Sequence, residues 1–364
     1  MRVLILSWRD LRHPLAGGSE VYSQNLARHW AAAGHEVTFS CAAVAGAPAL
    51  EVVDGYRIVR RGSRLGVYRQ ARRWYRAQEP SSFDVVLDVV NTRPFLSPRW
   101  AGNTPVVALI HQVCKEIWRY EVPLPLAVVG RYWLEPRWLS TYRETLTLTV
   151  SESSRSSLRD YGLRRVEVVP DGVDAPGSLG AAVAKETSPT VVWVGRMAAN
   201  KRPADAIEAF RSARPRLGDA SLWMIGDGPL RSRLEGTKPE GVRFFGRVDQ
   251  STKQDLMARA HLLIATSVRE GWGLTVSEAA MLGTPALTYD VPGLADSVPA
   301  AGGRLCEPTP AAMAEALPAA LAQRRVPGDG RGGTQPWAEV AAEVLEHLSE
   351  ATTTRPSAIR PAMT

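Results

Sequence analysis

The feature that most restricts the fold is an alternation of short apolar runs and helical patterns that begins twice in one chain. Residues 2–7, 36–41, 56–60, 85–90, 106–111, 146–151 and 166–170 read as strands. Between them 19–33, 64–77, 126–142 and 152–161 carry the apolar spacing of helices. Strands separated in this way by helices imply a parallel sheet covered on both faces. After Asp171-Gly172-Val173-Asp174, residues 175–188 are rich in Ala, Gly, Ser and Pro and read as a linker. The pattern then restarts, with strands at 191–194, 222–225, 242–245, 262–266, 285–289 and 303–306. Helices fit 202–212, 229–234, 253–260, 274–282 and 310–323. At 364 residues the chain exceeds what one hydrophobic core usually serves. Two Rossmann-like α/β domains are expected, 1–172 and 173–335, with a cleft between them. A loop over 323–335, a helix over 336–349 and a disordered tail over 350–364 complete the reading.

Composition removes several function classes. No run of about 18 apolar residues is present to span a bilayer. The first apolar run is too short for a signal peptide and reads as a strand. Cys41, Cys114 and Cys306 are far apart and odd in number, so they form neither a disulfide framework nor a metal cluster, and a reducing cytoplasm fits. The net charge of +7 is lopsided: residues 1–172 hold 23 Arg/Lys against 16 Asp/Glu, and the remainder is balanced. Arg57, Arg60, Arg61, Arg64, Arg69, Arg72, Arg73 and Arg76 concentrate the excess. There Val67, Tyr68, Ala71 and Trp74 recur near helical spacing, giving a basic amphipathic helix. Two readings stand: contact with an anionic surface, either phospholipid at the inner membrane face or an acidic acceptor, or a packed surface helix whose arginines reach to water. Nucleic acid is not expected, because no recognition module accompanies the charge.

The strongest chemical signal is Glu270-Gly271-Trp272-Gly273-Leu274-Thr275-Val276-Ser277-Glu278, which leaves a strand, turns on glycines and opens a helix. The N–H groups of a helix start, with the helix dipole, make an anion site suited to a diphosphate. Glu278, one turn in, can grip ribose hydroxyls, and Glu270 on the loop can grip a sugar. An ordinary helix start with acidic residues in its first turn is the plainer alternative. Val194-Gly195-Arg196 ends the first strand of the same half and is followed by Lys201. Two cations beside a glycine turn can neutralise a departing diphosphate, or simply be solvated. Gly226-Asp227-Gly228-Pro229 and Gly246-Arg247-Val248 are weaker turns, the latter able to frame a nucleobase. In the first half, Gly17-Gly18 precedes a helix without the Gly-x-Gly-x-x-Gly spacing of a dinucleotide site. His111 ends an apolar strand and points toward the cleft, either to bond a sugar hydroxyl or as a structural histidine. Lys115, Glu116, Trp118, Arg119 and Tyr120 read as a polar-aromatic loop fit to hold an acceptor. No Asp-x-Asp occurs and no histidines share ligand spacing, so no metal site is expected.

Taken together these motifs resemble the retaining glycosyltransferases of family 4, with the GT-B architecture of two facing Rossmann-like domains. The resemblance covers nearly the whole chain. Its most specific element is Glu-x7-Glu, Glu270 to Glu278, followed by Gly195-Arg196 with Lys201, and Gly226-Asp227-Gly228-Pro229. Val168-Val169-Pro170-Asp171-Gly172-Val173-Asp174 is similar to the family's junction segment, with Asp171 where Asn is usual. The resemblance implies that Glu278 binds ribose, Glu270 the donor sugar, and Arg196 and Lys201 the diphosphate. It implies that N–H groups at Gly273, Leu274, Thr275 and Val276 hold phosphate and sugar. It also implies that Gly17 and Gly18 close over the diphosphate from the opposite domain and that His111 contacts the sugar near the reacting carbon. Trp272 and Thr275 stand where Phe and Pro are usual, changes that spare backbone contacts.

On that basis the expected activity is transfer of a hexose-type sugar from a UDP-, GDP- or dTDP-linked donor to a hydroxyl of a glycan, lipid or metabolite, with anomeric retention and without a metal or other cofactor. The leaving phosphate takes the acceptor's proton, so no dedicated base is expected. Two competing readings remain: a dinucleotide-dependent oxidoreductase, which lacks its glycine pattern here, and a catalytically silent homologue serving as a scaffold.

Overall fold

The computed structural model describes residues 1–79, 81–174, 183–322 and 333–353. Most of the expected linker, most of the expected 323–335 loop, and residues 354–364 of the expected tail lie outside these. The first sheet contains β1 (Arg2–Leu6), β2 (Glu36–Cys41), β3 (Leu50–Val53), β4 (Tyr56–Arg60), β5 (Val85–Val89), β6 (Val106–Leu109), β7 (Leu146–Thr149) and β8 (Val166–Val168). Their order is β3-β4-β2-β1-β5-β6-β7-β8. The second sheet contains β9 (Thr190–Val194), β10 (Ser221–Ile225), β11 (Val242–Gly246), β12 (Leu262–Ala265), β13 (Ala286–Tyr289) and β14 (Arg304–Cys306), ordered β11-β10-β9-β12-β13-β14. Pairing is parallel except between β3 and β4. This is the expected α/β class, twice over.

Burial follows the pleat. Val3 and Ile5 of β1 join one core with Tyr22, Leu26 and Trp30, while Leu4 and Leu6 join another with Val67 and Ala71. All five residues of β5 are buried, which is why these strands read as continuous apolar runs. Each sheet reverses its order once, between β1 and β5 and between β9 and β12. Ligands of open α/β sheets sit outside the carboxyl ends of strands at such reversals. The loops after β1, β5, β9 and β12 therefore flank the favoured position. A concavity of about 650 Å³, lined by Met1, Tyr75, Phe83 and Trp100, lies at the opposite, amino ends of the first sheet.

Four elements differ from the sequence expectation. β3 and β4 form a hairpin across Asp54-Gly55, both at positive φ, 47° and 84°. The single helix expected over 126–142 is broken into Leu124–Val129, a π-helical turn Gly130–Leu134, Glu135–Leu139 and a 3₁₀ turn Ser140–Tyr142. Pro136 lacks the N–H a continuous helix needs, and π turns of this kind interrupt helices locally. A helix at Leu294–Ala300 was not anticipated. The final helix, Trp337–Thr353, runs beyond residue 349 and packs on the first domain, where Trp337, Val340, Ala341, Val344 and Leu348 complete the core. Among the described residues no helix is long and apolar enough to cross a membrane.

Candidate active site

The loop between β12 and the helix Leu274–Met281 is held from three sides. Val268 N donates to Asn200 O at 2.9 Å, and Thr266 Oγ1 donates to the carbonyls of Lys201 and Arg202 at 3.0 and 2.8 Å. Glu270 N donates to Pro292 O at 3.0 Å. These bonds lace the Lys201 turn to the glutamate loop. As a result Lys201 Nζ donates to Glu270 Oε1, which also accepts from Ser267 Oγ at 2.6 Å. Gly195 lies at the end of β9, its N–H on Ile225 O at 3.0 Å. Arg196 follows, exposed, its guanidinium without a partner among the described residues. Arg247, at the end of β11, is likewise exposed and unpaired, and Val248 packs partly against the second core.

Gly273 caps the following helix in the left-handed region, at φ 103° and ψ 57°. The N–H groups of Gly273, Leu274 and Thr275 have no partner among the described residues. The Val276 N–H does, donating to Gly273 O at 2.8 Å. That corrects the expectation for Val276, because a tight first turn consumes the group. Glu278 is not a bare carboxylate: Lys253 Nζ, from the helix Gln250–Arg259, donates to both its oxygens at 2.8 and 2.9 Å. A loop with free amides, one unpaired guanidinium and a neighbouring ammonium can receive a doubly charged anion.

The first domain meets this loop directly. A Cβ placed on Gly271 would stand 3.0 Å from His111 O and 3.2 Å from Val150 Cγ2, so the backbones touch across the cleft. Trp272 is buried within the first domain's core while its Nε1 donates to Ser277 Oγ at 3.0 Å. Leu274 approaches Gly18, which with Gly17 begins the helix Gly18–Ala32. Gly17 N donates at 2.7 Å to the buried Glu20, whose other oxygen meets Arg9 Nε at 2.8 Å and Asn91 Nδ2 at 3.1 Å. His111 lies edge-on to Tyr22, ring centroids 5.0 Å apart, with both ring nitrogens shut from solvent and unpartnered. Burial holds its pKa down at about 4, so the ring is neutral at pH 7. Asp171 is buried with Oδ1 unpartnered. Burial, and then the charge of Glu270, push its carboxyl up to about 8.

The expected acceptor loop is instead two helical turns, Lys115–Ile117 and Trp118–Glu121. Trp118 is turned inward, its ring against Gly130 and its Nε1 on Glu135 at 3.1 Å, and so offers no open platform. Lys115 pairs with Asp160 at 3.1 Å. Glu116 accepts from Arg269 Nε at 3.1 Å, and Tyr120 OH accepts from Arg202 at 3.1 Å, both contacts reaching into the second domain. Only Arg119 is exposed without a partner among the described residues. The basic segment needs one correction as well. Arg60 is buried, bound to Asp10 at 2.6 Å and Glu51 at 2.8 Å, and belongs to the core rather than the surface. Glu20 closes the Gly17-Gly18-Ser19-Glu20 segment that the sequence marks, whereas no motif marks Lys253 or Arg269; each of the three pairs with a residue remote in sequence.

Residues 16–175 match the family described as Glycosyltransferase Family 4, and residues 188–323 match Glycosyl transferases group 1. The chain is a glycosyltransferase. This glycosyltransferase is 26% identical over 342 residues to the glycogen synthase of Mycobacterium tuberculosis, covering 82% of this chain and 80% of that one. It is 27% identical to the GDP-mannose-dependent alpha-(1-6)-phosphatidylinositol dimannoside mannosyltransferase of the same species, covering 92% and 93%. Sucrose-phosphate synthase from Thermosynechococcus elongatus superposes with a TM-score of 0.77 at 20% identity, over 97% of this chain and 100% of that one, which establishes the GT-B fold. The enzyme is a nucleotide-sugar glycosyltransferase of the GT-B type.

Proposed function

We propose that the enzyme transfers a hexose from a UDP-, GDP- or dTDP-linked donor to a hydroxyl of a glycan, lipid or specialised metabolite, with retention at the anomeric carbon and without a divalent metal. The observation that carries this reading is the Lys201 ammonium seated on Glu270, with the unpaired Arg196 on the same turn and free helix amides beside them. Donor diphosphate would lie between Arg196, Lys201 and the N–H groups of Gly273, Leu274 and Thr275. Glu278 would meet the ribose, Arg247 and Val248 the base, and Glu270 and His111 the sugar, with Gly17 and Gly18 closing over the diphosphate. Heterolysis of the sugar–phosphate bond adds one negative charge to the leaving diphosphate as positive charge develops on the sugar, and cations fixed in advance stabilise that change without reorganisation. An oxocarbenium-like sugar is then attacked from the face the diphosphate leaves, and the leaving phosphate accepts the acceptor's proton. Apposition of the domains at Gly271 and His111 supports exclusion of water from the reacting centre. Neutral His111 suits a hydrogen-bonding role better than a cationic one. Peripheral contact of the first domain with anionic membrane belongs to the same proposal.

The test is a panel of nucleotide diphosphate sugars read by thermal shift, followed by nucleoside diphosphate release with the donor that binds. Arg196→Ala and Lys201→Ala should each lower turnover by about 10- to 1000-fold. Full turnover in both variants would remove the charge-neutralising role. Chelator should leave the rate unchanged, whereas loss reversed by magnesium would contradict metal independence, and inversion at the product carbon would contradict retention.

A further inference from the structure

Seven of the eleven large hydrophobic side chains exposed among the described residues fall between Leu124 and Leu134. Leu126 is 58% exposed and Trp133 74%, and Leu124, Val128, Val129 and Tyr132 join them. From Val122 to Gly130 the chain carries no charged residue. A folded monomer rarely leaves so dense an apolar projection in water without a partner. The inward side is fixed: Ala127 packs with Trp118, and Gly130 lies under the Trp118 ring. The exposed side chains therefore form a built outer face.

The same side of the first sheet carries the basic helix. Val67 and Ala71 pack on Leu4, Leu6 and Val86, while Leu139 and Tyr142 pack on Ala108 and Ile110, which continue that face. The two layers are joined where the Tyr68 and Phe95 rings meet tilted at 48°, centroids 4.8 Å apart, and Leu96 N donates to Tyr142 OH at 2.9 Å. Arg69, Arg72, Arg73 and Arg76 are exposed on that helix with no acidic partner among the described residues. Arg119 and Arg137 flank the apolar stretch, also exposed and unpaired among the described residues. An apolar projection with Trp and Tyr, beside unpaired arginines, is the composition of an interfacial membrane contact. A second copy fits poorly, because an isologous interface would set these arginines against their own equivalents.

We propose that this face docks on a bilayer containing anionic lipid, with residues 124–134 entering the headgroup–acyl boundary and the arginines holding the surface. The inference deepens the membrane contact proposed above by naming the apolar element that charge alone did not reveal. It does not depend on the donor chemistry. Because Glu116 and Tyr120, next to this element, bond Arg269 and Arg202 of the second domain, the docked face sits beside the mouth of the cleft.

Sedimentation of the full chain with vesicles of phosphatidylcholine, alone or mixed equally with phosphatidylglycerol, tests this directly. The parent should bind the mixed vesicles and not the neutral ones, with affinity falling as salt rises. Leu126→Ser combined with Trp133→Ser should weaken binding by at least about tenfold. Changing Arg69, Arg72, Arg73 and Arg76 to Gln should reduce the salt dependence, leaving the part that Arg119 and Arg137 carry. Thermal melting and nucleotide-sugar binding, measured on the same samples, should match the parent, so failure of docking and failure of the donor reading are separable. A second measurement uses brominated acyl chains: the parent's tryptophan emission is quenched on binding, and Trp133→Phe keeps the binding while losing part of the quenching. No binding to anionic vesicles overturns the proposal. So does undiminished binding of the double serine variant, or a dimer in solution that this variant splits.

Discussion

At the scale of single residues, burial sets the charge state of two groups at the cleft, Asp171 and His111. Asp171 is buried, and burial with the nearby Glu270 charge raises its carboxyl to about 8. The folded protein thus holds a proton there that the unfolded chain, titrating near 3.9, releases. Between those values the native state binds more protons, so stability falls as pH rises. This contribution is whole below the unfolded value and lost on the way to pH 8. Asp171→Asn keeps the neutral form at every pH. Its melting temperature should change less between pH 5 and 8 than the parent's, with a gain on the order of 1 kcal/mol at pH 8. A parallel pH dependence in variant and parent would show that Asp171 is not held protonated. His111 has the opposite sign. Its pKa is lowered to about 4, so the stability it contributes is present above the unfolded value and fades as pH falls toward 4.

Individual elements show which features were legible in the sequence. Gly271 and Gly273 look equivalent in the motif but do different work. Gly273 holds φ 103°, and a Cβ there would stand 2.8 Å from Leu294 Cδ2, inside the second core. Gly271 has its constraint in the other domain, at His111 and Val150. Gly273→Ala should therefore cost about 1–3 kcal/mol of stability in urea unfolding. Gly271→Ala should spare most of that stability and instead raise KM for the donor by parting the domains. Equal losses of stability would mean that both glycines serve the helix start. The motif itself could be read because strand, glycine turn and helix are contiguous. The hairpin could not, since Leu50 and Val52 are exposed and their alternation does not mark a core strand. Leu294–Ala300 was hidden by Pro299 within it. Lys253 reaches Glu278 from 25 positions away, and Arg269 reaches Glu116 from 153. Their pairing is a product of the fold, without local spacing to announce it.

For the whole molecule, the decisive feature is that the chain crosses between its domains twice, side by side. Val173 N donates to Gln335 O at 2.9 Å, and Trp337 N donates to Asp174 Oδ1 at 3.2 Å. A Cβ on Gly172 would stand 2.6 Å from the Trp337 ring, so the two crossings are packed together. The helix Trp337–Thr353 then lies on the first domain, where Trp30 Nε1 donates to Ala341 O at 2.7 Å and Trp337 meets Tyr22 edge-on at 5.4 Å. Tyr22 is also the ring against which His111 rests. The last helix thus supports the floor of the cleft from beneath, although it follows the second domain in sequence. Trp337→Ala should remove a buried aromatic and cost about 3–5 kcal/mol. The loss should fall on the first domain: calorimetry should show one transition splitting, with the earlier part suppressed by adding acceptor-side ligands and the later part by donor. Donor binding measured below the first transition should survive with reduced affinity, because Tyr22 and His111 lose their backing while Lys201 and Glu270 keep theirs. A variant that melts in one unchanged transition would show that the crossing contributes nothing to the first domain. One that loses the second sheet first would show that the helix belongs energetically to the other side.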